Sequence, residues 1–253
     1  DILNNIAPNI PIYLTRIDGH SAWVNSAAIS RSRLSINQIN NIEGGKVIND
    51  CIMVDNTMNC FKSCLPSDTK DQVKAWIKKA VYKTTKMGIT GVHDAWQDST
   101  TVDAIQELID EEEFPIRCYG MLASNDKSFL KEYFSKGHYS DEYLNIRSVK
   151  AFIDGALGSR GAALHEPYCD DTNNCGLILI SQDEFNQLAR DCFNNNFQLN
   201  THAIGDRGNR YVLDCYGKHI QNSNNRRWRI EHAQMVSDQD LHKFKDYNIL
   251  PSM

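Results

Sequence analysis

Two histidines close short apolar segments of this chain. His202 ends FQLNTH, and His232 ends RIEH 30 residues later. That interval is about one strand–helix unit, so the two rings fall at the same end of neighbouring parallel strands. Neutral imidazoles placed there can bind a borderline cation such as zinc. The competing reading is that each is a hydrogen-bonded interior histidine. Lys150 is the third candidate, because it interrupts the apolar run SVKAFI, where an unpaired ammonium in a dry interior costs several kcal/mol. Three readings of it stand open. It is a surface lysine whose stem lies along the protein, an amine of depressed pKa that forms Schiff bases, or a lysine converted by carbon dioxide to a metal-bridging carbamate. Arg160 lies in the glycine-rich stretch DGALGSRGAAL. That stretch lacks the GxxxxGK[ST] pattern of a phosphate loop and reads as a flexible connection over the mouth of the site. Arg160 there is either a carboxylate or carbonyl clamp or a plain surface arginine. Asp206 reads as a helix N-cap, and His138, His165, His219 and His242 read as solvated.

The elements that position these groups alternate in kind. From residue 67 onward, amphipathic helices separate six short apolar segments: ITGVHDA, PIRCYGML, IRSVKAFIDG, FQLNTHAIG, WRIEHAQ and ILPSM. The first helix carries Val73, Trp76, Ile77, Ala80 and Val81 on one stripe, with Ser67 or Asp68 placed to cap it and Gly88 to stop it. Ser181 and Glu184 have the spacing of a capping box. Such alternation implies parallel strands joined by crossover helices, in a doubly wound sheet or a (β/α)8 barrel. Polar residues recur at many strand ends (His93, Asp94, Asp154, His202 and His232), not at one switch point, which favours the barrel. Residues 1–66 read differently. PIYLTRIDGH is a strand ending in Asp18 and His20, SAWVNSAAIS is helix-like, and the rest is turn-rich with weak periodicity. This part is expected to be an inserted segment packing near the barrel mouth, with the barrel itself over 67–253.

Composition removes several classes of function. The chain has 253 residues, a formal net charge of -5 and no clustering of Lys and Arg, which argues against a nucleic-acid partner. No apolar run approaches the roughly 20 residues of a membrane span, and DILNNIAPNIPIYL is not a signal peptide. The eight cysteines are too sparse for a disulfide scaffold, and no CxxC pair occurs. Cys60 with Cys64, or Cys169 with Cys175, would bridge in an oxidising compartment. Free thiols in the cytoplasm are the expectation.

IDGHSAWVNSAAI, GITGVHDA, VKAFIDGALGSRGAAL, NTHAIGDRGNR and RIEHAQ occur in this order. Together they resemble the YtcJ-like (amidohydrolase-3) branch of the amidohydrolase superfamily, which includes N-substituted formamide deformylases. The resemblance runs from about Pro11 to Met253. It implies a (β/α)8 barrel with one or two divalent metal ions, zinc by preference, at its C-terminal mouth. Lys150 matches the fourth-strand ligand, often carboxylated, His202 the fifth-strand ligand and His232 the sixth. His20, Asp94 and Arg160 become candidate contacts for a small amide substrate. The implied reaction is metal-dependent hydrolysis of a non-peptide C–N bond. The HxH pair of the family's first strand is absent, and the chain stops before the aspartate of the eighth strand, so no catalytic residue is assigned within it. The expectation is therefore an internal fragment holding barrel strands 2 to 7. Its open edges need a covering domain or partner chain, a second copy included. Two rival readings remain: a non-catalytic remnant serving as scaffold or binding module, and a Schiff-base lyase built on Lys150.

Overall fold

The structure, a computed structural model, describes residues 2–220 and 226–253. Its main sheet contains six parallel strands in the spatial order of the sequence: β5 (Gly91–Gln97), β6 (Arg117–Ala123), β8 (Leu144–Phe152), β9 (Gln198–Ala203), β10 (Arg229–His232) and β11 (Leu250–Ser252). The two-residue β7 (Tyr139–Ser140) adds to β8 antiparallel. Strands that follow one another without reversal, each returning through a helix, wind in one sense, which is barrel topology. The sheet also curls. Four strand steps would hold β5 and β10 about 19 Å apart in a flat sheet, yet Arg229 Nη1 lies 3.3 Å from His93 Nδ1 across the lumen. The result is a partial (β/α)8 barrel.

The crossover helices are α5 (Ser99–Asp110), α6 (Lys127–Lys136), α7 (Gln182–Asn194), α8 (Asp206–Ile220) and α9 (Asp238–Asp246), and α4 (Lys70–Lys86) precedes the first strand. Apolar positions at helical spacing turn toward the sheet. Val102, Ile105 and Leu108 of α5, Phe185 and Ala189 of α7, and Val212, Leu213 and Tyr216 of α8 bury against Leu122, Val149, Leu199 and Ile230. Each large side chain so buried contributes about 1.5–3 kcal/mol before the entropy of ordering it is charged. The other face of the same strands lines the lumen, where buried Ser148, Lys150, Asn200 and His202 lie. Alternation along β8 and β9 thus separates a hydrophobic packing face from a polar interior.

Several local boundaries differ from the expectation. Thr69, not Ser67 or Asp68, caps α4, and it forms a full capping box with Gln72. Asp206 is the first residue of α8 rather than its cap, and its Oδ1 accepts from the His165 backbone. SAWVNSAAIS is not one helix. Ser21–Val24 is a strand, and Asn25 divides it from the helix Ser26–Ser32. Asn25 is buried. Its Oδ1 accepts from Ile12 and Ala28, and its Nδ2 donates to the carbonyls of Ala7 and Ile10. All eight cysteines are free thiols. Among the described residues no helix is long and apolar enough to cross a membrane.

The N-terminal stretch forms a second, antiparallel sheet. Its strands β1 (Tyr13–Thr15), β2 (Ser21–Val24), β3 (Gly45–Ile48) and β4 (Ile52–Asp55) lie in the order β1-β2-β4-β3. With α1 (Ile2–Ile6), α2 (Ser26–Ser32) and α3 (Ile36–Asn40), it keeps a small core of Val24, Ala28, Ile39, Met53 and Phe61. Polar contacts tie it to the long loop after β8, including Asn56 Nδ2 to the Leu179 carbonyl at 2.8 Å.

Candidate metal centre

The register of three strands assembles the site. Phe152 of β8 pairs with His202 of β9, which pairs with Glu231 of β10. Two residues earlier on each strand, Lys150, Asn200 and Arg229 make the next rung. His202 and Lys150 therefore share one face at successive levels. His232 ends β10 with φ 75, followed by Ala233 at φ 42. This left-handed turn is costly for residues with a Cβ and carries the His232 ring over His202, with ring centres 4.7 Å apart.

His202 is 2% exposed. Its Nε2 lies 3.3 Å from the Gly155 carbonyl and 3.6 Å from Asp154 Oδ1, which leaves Nδ1 as the nitrogen without a protein partner. Burial, aided by the nearby Lys150 charge, pushes this imidazole down to about 3, so it is neutral at pH 7. Burial and Lys150 also lower His232. Lys150 is 3% exposed, and its ammonium makes no hydrogen bond or ion pair among the described residues. It lies 4.6 Å from the centre of the Phe152 ring. Burial pulls the amine down to about 8, opposed by the Glu231 carboxylate. Neutral imidazoles and a lysine that readily loses its proton suit a divalent cation better than a cluster of fixed charges does. Among the described residues, no three of His, Cys, Asp and Glu are placed to hold a metal by themselves.

Of the remaining candidates, His20 is brought to the cluster and two are not. The His20 ring centre stands 5.1 Å from that of His202, and its Nδ1 is 2.7 Å from Asp55 Oδ1. Arg160 pairs through Nε and Nη2 with Asp170 and lies over Tyr168. Asp94 shares the packing face of β5 with Val92 and accepts from Gln97 Nε2, beside Cys118. The opposite face carries His93. The remote histidines are less solvated than expected, since His138 Nε2 meets the Asn196 carbonyl at 3.0 Å and His219 Nε2 is buried without a hydrogen-bond partner among the described residues.

Several residues at the site were not among the candidate ligands or substrate contacts. Asp154 is fully buried and accepts backbone hydrogen bonds from Ala163, Ile204 and Gly205 at 2.8–3.0 Å. Burial still pushes its carboxyl up to about 6. These bonds hold the loop 154–164 tightly, so it is a packed connection and not a flexible one. Trp96 sits where the β5–β6 register shifts, and its ring meets Phe152 edge-on at 5.1 Å. Asp55 comes from the distant β4. Of these, only Asp154, at a strand end, had a signal that could have raised it earlier.

The sequence profile of the amidohydrolase family matches residues 1–253. The chain belongs to the amidohydrolase family. It is similar to Protein LONG AFTER FAR-RED 3 of Arabidopsis thaliana, with 27% identity over 277 residues, covering 99% of this chain and 46% of that protein. It is also similar to the Putative amidohydrolase YtcJ of Bacillus subtilis (strain 168), with 28% identity over 94% of this chain and 46% of the other. The chain thus spans about half the length of these relatives. The crystal structure of an uncharacterized metal-dependent hydrolase from Pyrococcus horikoshii OT3 superposes with a TM-score of 0.74 at 22% identity, over 97% of this chain and 49% of that one. At that identity the likeness speaks for the amidohydrolase fold alone.

Proposed function

We propose that this chain holds one side of a metal centre that hydrolyses a non-peptide C–N bond of an amide, within a longer amidohydrolase polypeptide. The observation that carries the reading is the convergence of Lys150, His202 and His232 at adjacent strand ends, with the two imidazoles 4.7 Å apart and the lysine buried without an anionic partner. A divalent cation held there, zinc by its fit to imidazole donors, supplies Lewis acidity toward a carbonyl and lowers the pKa of water. His202 would offer Nδ1, its ring held by the Gly155 carbonyl and Asp154 at Nε2. Lys150, once carboxylated by carbon dioxide, would add an anionic oxygen donor, and burial favours the neutral amine that such a reaction needs over the charged ammonium. Phe152 and Trp96 form an apolar wall beside these groups, which excludes water from one flank of a bound substrate. The family's remaining ligands and its general base are expected outside these 253 residues.

The full-length protein should contain one or two equivalents of metal by elemental analysis, and chelation should remove both metal and amide hydrolysis. Hydrolysis that persists after the metal is stripped would end the proposal. The lowered Lys150 amine beside Phe152 also fits a Schiff-base lyase. The paired histidines favour the metal reading, and borohydride trapping with a carbonyl compound would mark Lys150 only under the alternative.

A further inference from the structure

The antiparallel sheet sends one ring to the metal cluster, and three separate stretches of chain support that ring. His20 follows the turn at Asp18 and Gly19, where Gly19 has φ 75 and Asp18 Oδ1 accepts from the His20 backbone. Its Nδ1 meets Asp55 Oδ1 at 2.7 Å. The Asp55 side chain is 1% exposed, and the residue ends β4 at φ 49, ψ -120, a conformation costly for any residue with a Cβ. Its other oxygen, Oδ2, is buried and has no hydrogen-bond partner among the described residues. That oxygen is pressed against the loop after β8, where a Cβ on Gly155 or Gly161 would stand 2.4 or 2.3 Å from it. Burial, backbone strain and an orphaned oxygen are all borne by a carboxylate whose one side-chain hydrogen bond is to His20.

An ionised carboxylate only accepts, so in the pair with Asp55 a ring proton sits on His20 Nδ1. Nε2, on the other side of the ring, has no hydrogen-bond partner among the described residues. The ring stands 5.1 Å from His202 and 6.3 Å from Phe152, so this nitrogen belongs to the same mouth as the proposed ligands. We propose that Asp55 positions His20 to accept a hydrogen bond from a substrate N–H, so that the site selects amides bearing an N–H over fully N-substituted ones. The choice of amides rests on the function proposed above. The pairing of Nδ1 with Asp55 rests on the geometry alone.

The test uses full-length protein labelled with 15N-histidine, and two probes: N-benzylacetamide and its N-methylated counterpart. Long-range 1H–15N correlation should show His20 protonated on Nδ1, and Asp55→Asn should convert it to a tautomer mixture. N-benzylacetamide should bind roughly tenfold more tightly than the N-methylated probe, the worth of one hydrogen bond. His20→Ala should abolish that preference, whereas His20→Gln, which keeps an acceptor, should retain part of it. Equal affinity for the two probes, binding of neither, a preference that survives His20→Ala, or an Nε2-protonated wild-type ring would each overturn the inference. Amide hydrolysis without N–H preference refutes this inference while the proposed function stands. Preference without hydrolysis does the reverse.

Discussion

The imidazoles of His202 and His232 stand 4.7 Å apart at ring centre and nearly perpendicular, at 75°, although 30 residues and a whole helix separate them in the chain. The contact exists because β9 and β10 are register partners and because His232 leaves its strand in a left-handed turn. Under the proposed function both rings would hold the same cation. Replacing either with alanine should lower metal affinity by at least tenfold, the scale on which even supporting residues of such sites act. Competition with a chromophoric chelator reads this directly, and full retention of metal by both variants would rule out the ligand assignment.

Lys150→Met should separate stability from activity. The ammonium is 3% exposed and unpaired, so a methionine of similar length removes a desolvated charge and keeps its packing. The metal-free protein should gain about 1 kcal/mol or more, seen as a higher melting temperature. Metal binding and hydrolysis should be lost together. A destabilised but fully active variant would contradict the placement of this side chain.

Gly161→Ala should be far costlier than an ordinary glycine-to-alanine change. The new Cβ would sit 2.3 Å from Asp55 Oδ2, and both the loop and the carboxylate are buried. A loss of about 1–3 kcal/mol is expected from this overpacking, measured by denaturant unfolding. The His20 resonances should shift as Asp55 is displaced.

Asp240 provides a pH prediction away from the site. This 2% exposed carboxylate accepts from Arg210 Nε at 2.7 Å and faces Lys243 Nζ at 2.9 Å. Burial alone would raise its pKa, but the Lys243 and Arg210 hydrogen bonds outweigh that and hold the carboxyl below the ordinary range. A folded-state pKa below the unfolded one adds stability that is complete above about pH 4–5 and is lost as acid protonates the folded carboxyl. Asp240→Asn should therefore destabilise the protein at pH 7 by roughly 1–3 kcal/mol, given the partly exposed partners. It should also flatten the acid limb of the stability curve, which chemical unfolding between pH 3 and 7 would show.

The long-range order of the barrel was readable because its signals are regular. Six apolar segments bounded by helical stripes appear as β5, β6, β8, β9, β10 and β11, and His202 and His232 fall at strand ends as their sequence context implies. Of the antiparallel sheet only the strand within PIYLTRIDGH was readable, and it ends at Thr15, short of Asp18 and His20. The strands of this sheet have only three or four residues, too few for alternation to emerge, and Asn25 hides a strand-to-helix change inside one apolar stretch. Proximity explains the rest. Asp55 and Trp96 join the site through tertiary packing and a register shift, and neither has a local pattern. Asp94 carried a suitable residue type, but β5 runs on to Gln97, so Asp94 lies in mid-strand and not at the strand end, and alternation turns it to the helix side.

Asp55 lodged against Gly155 and Gly161 makes two parts of the protein with separate cores interdependent. The antiparallel sheet keeps its own small core, which gives it the outward look of an exchangeable module, yet its carboxylate is keyed into a notch cut in the barrel's loop. A graft of this sheet onto another barrel would carry the key without the notch, and a change in the loop would be felt first at a histidine more than 130 positions away in the chain. Any redesign of substrate preference would have to move both pieces as a unit.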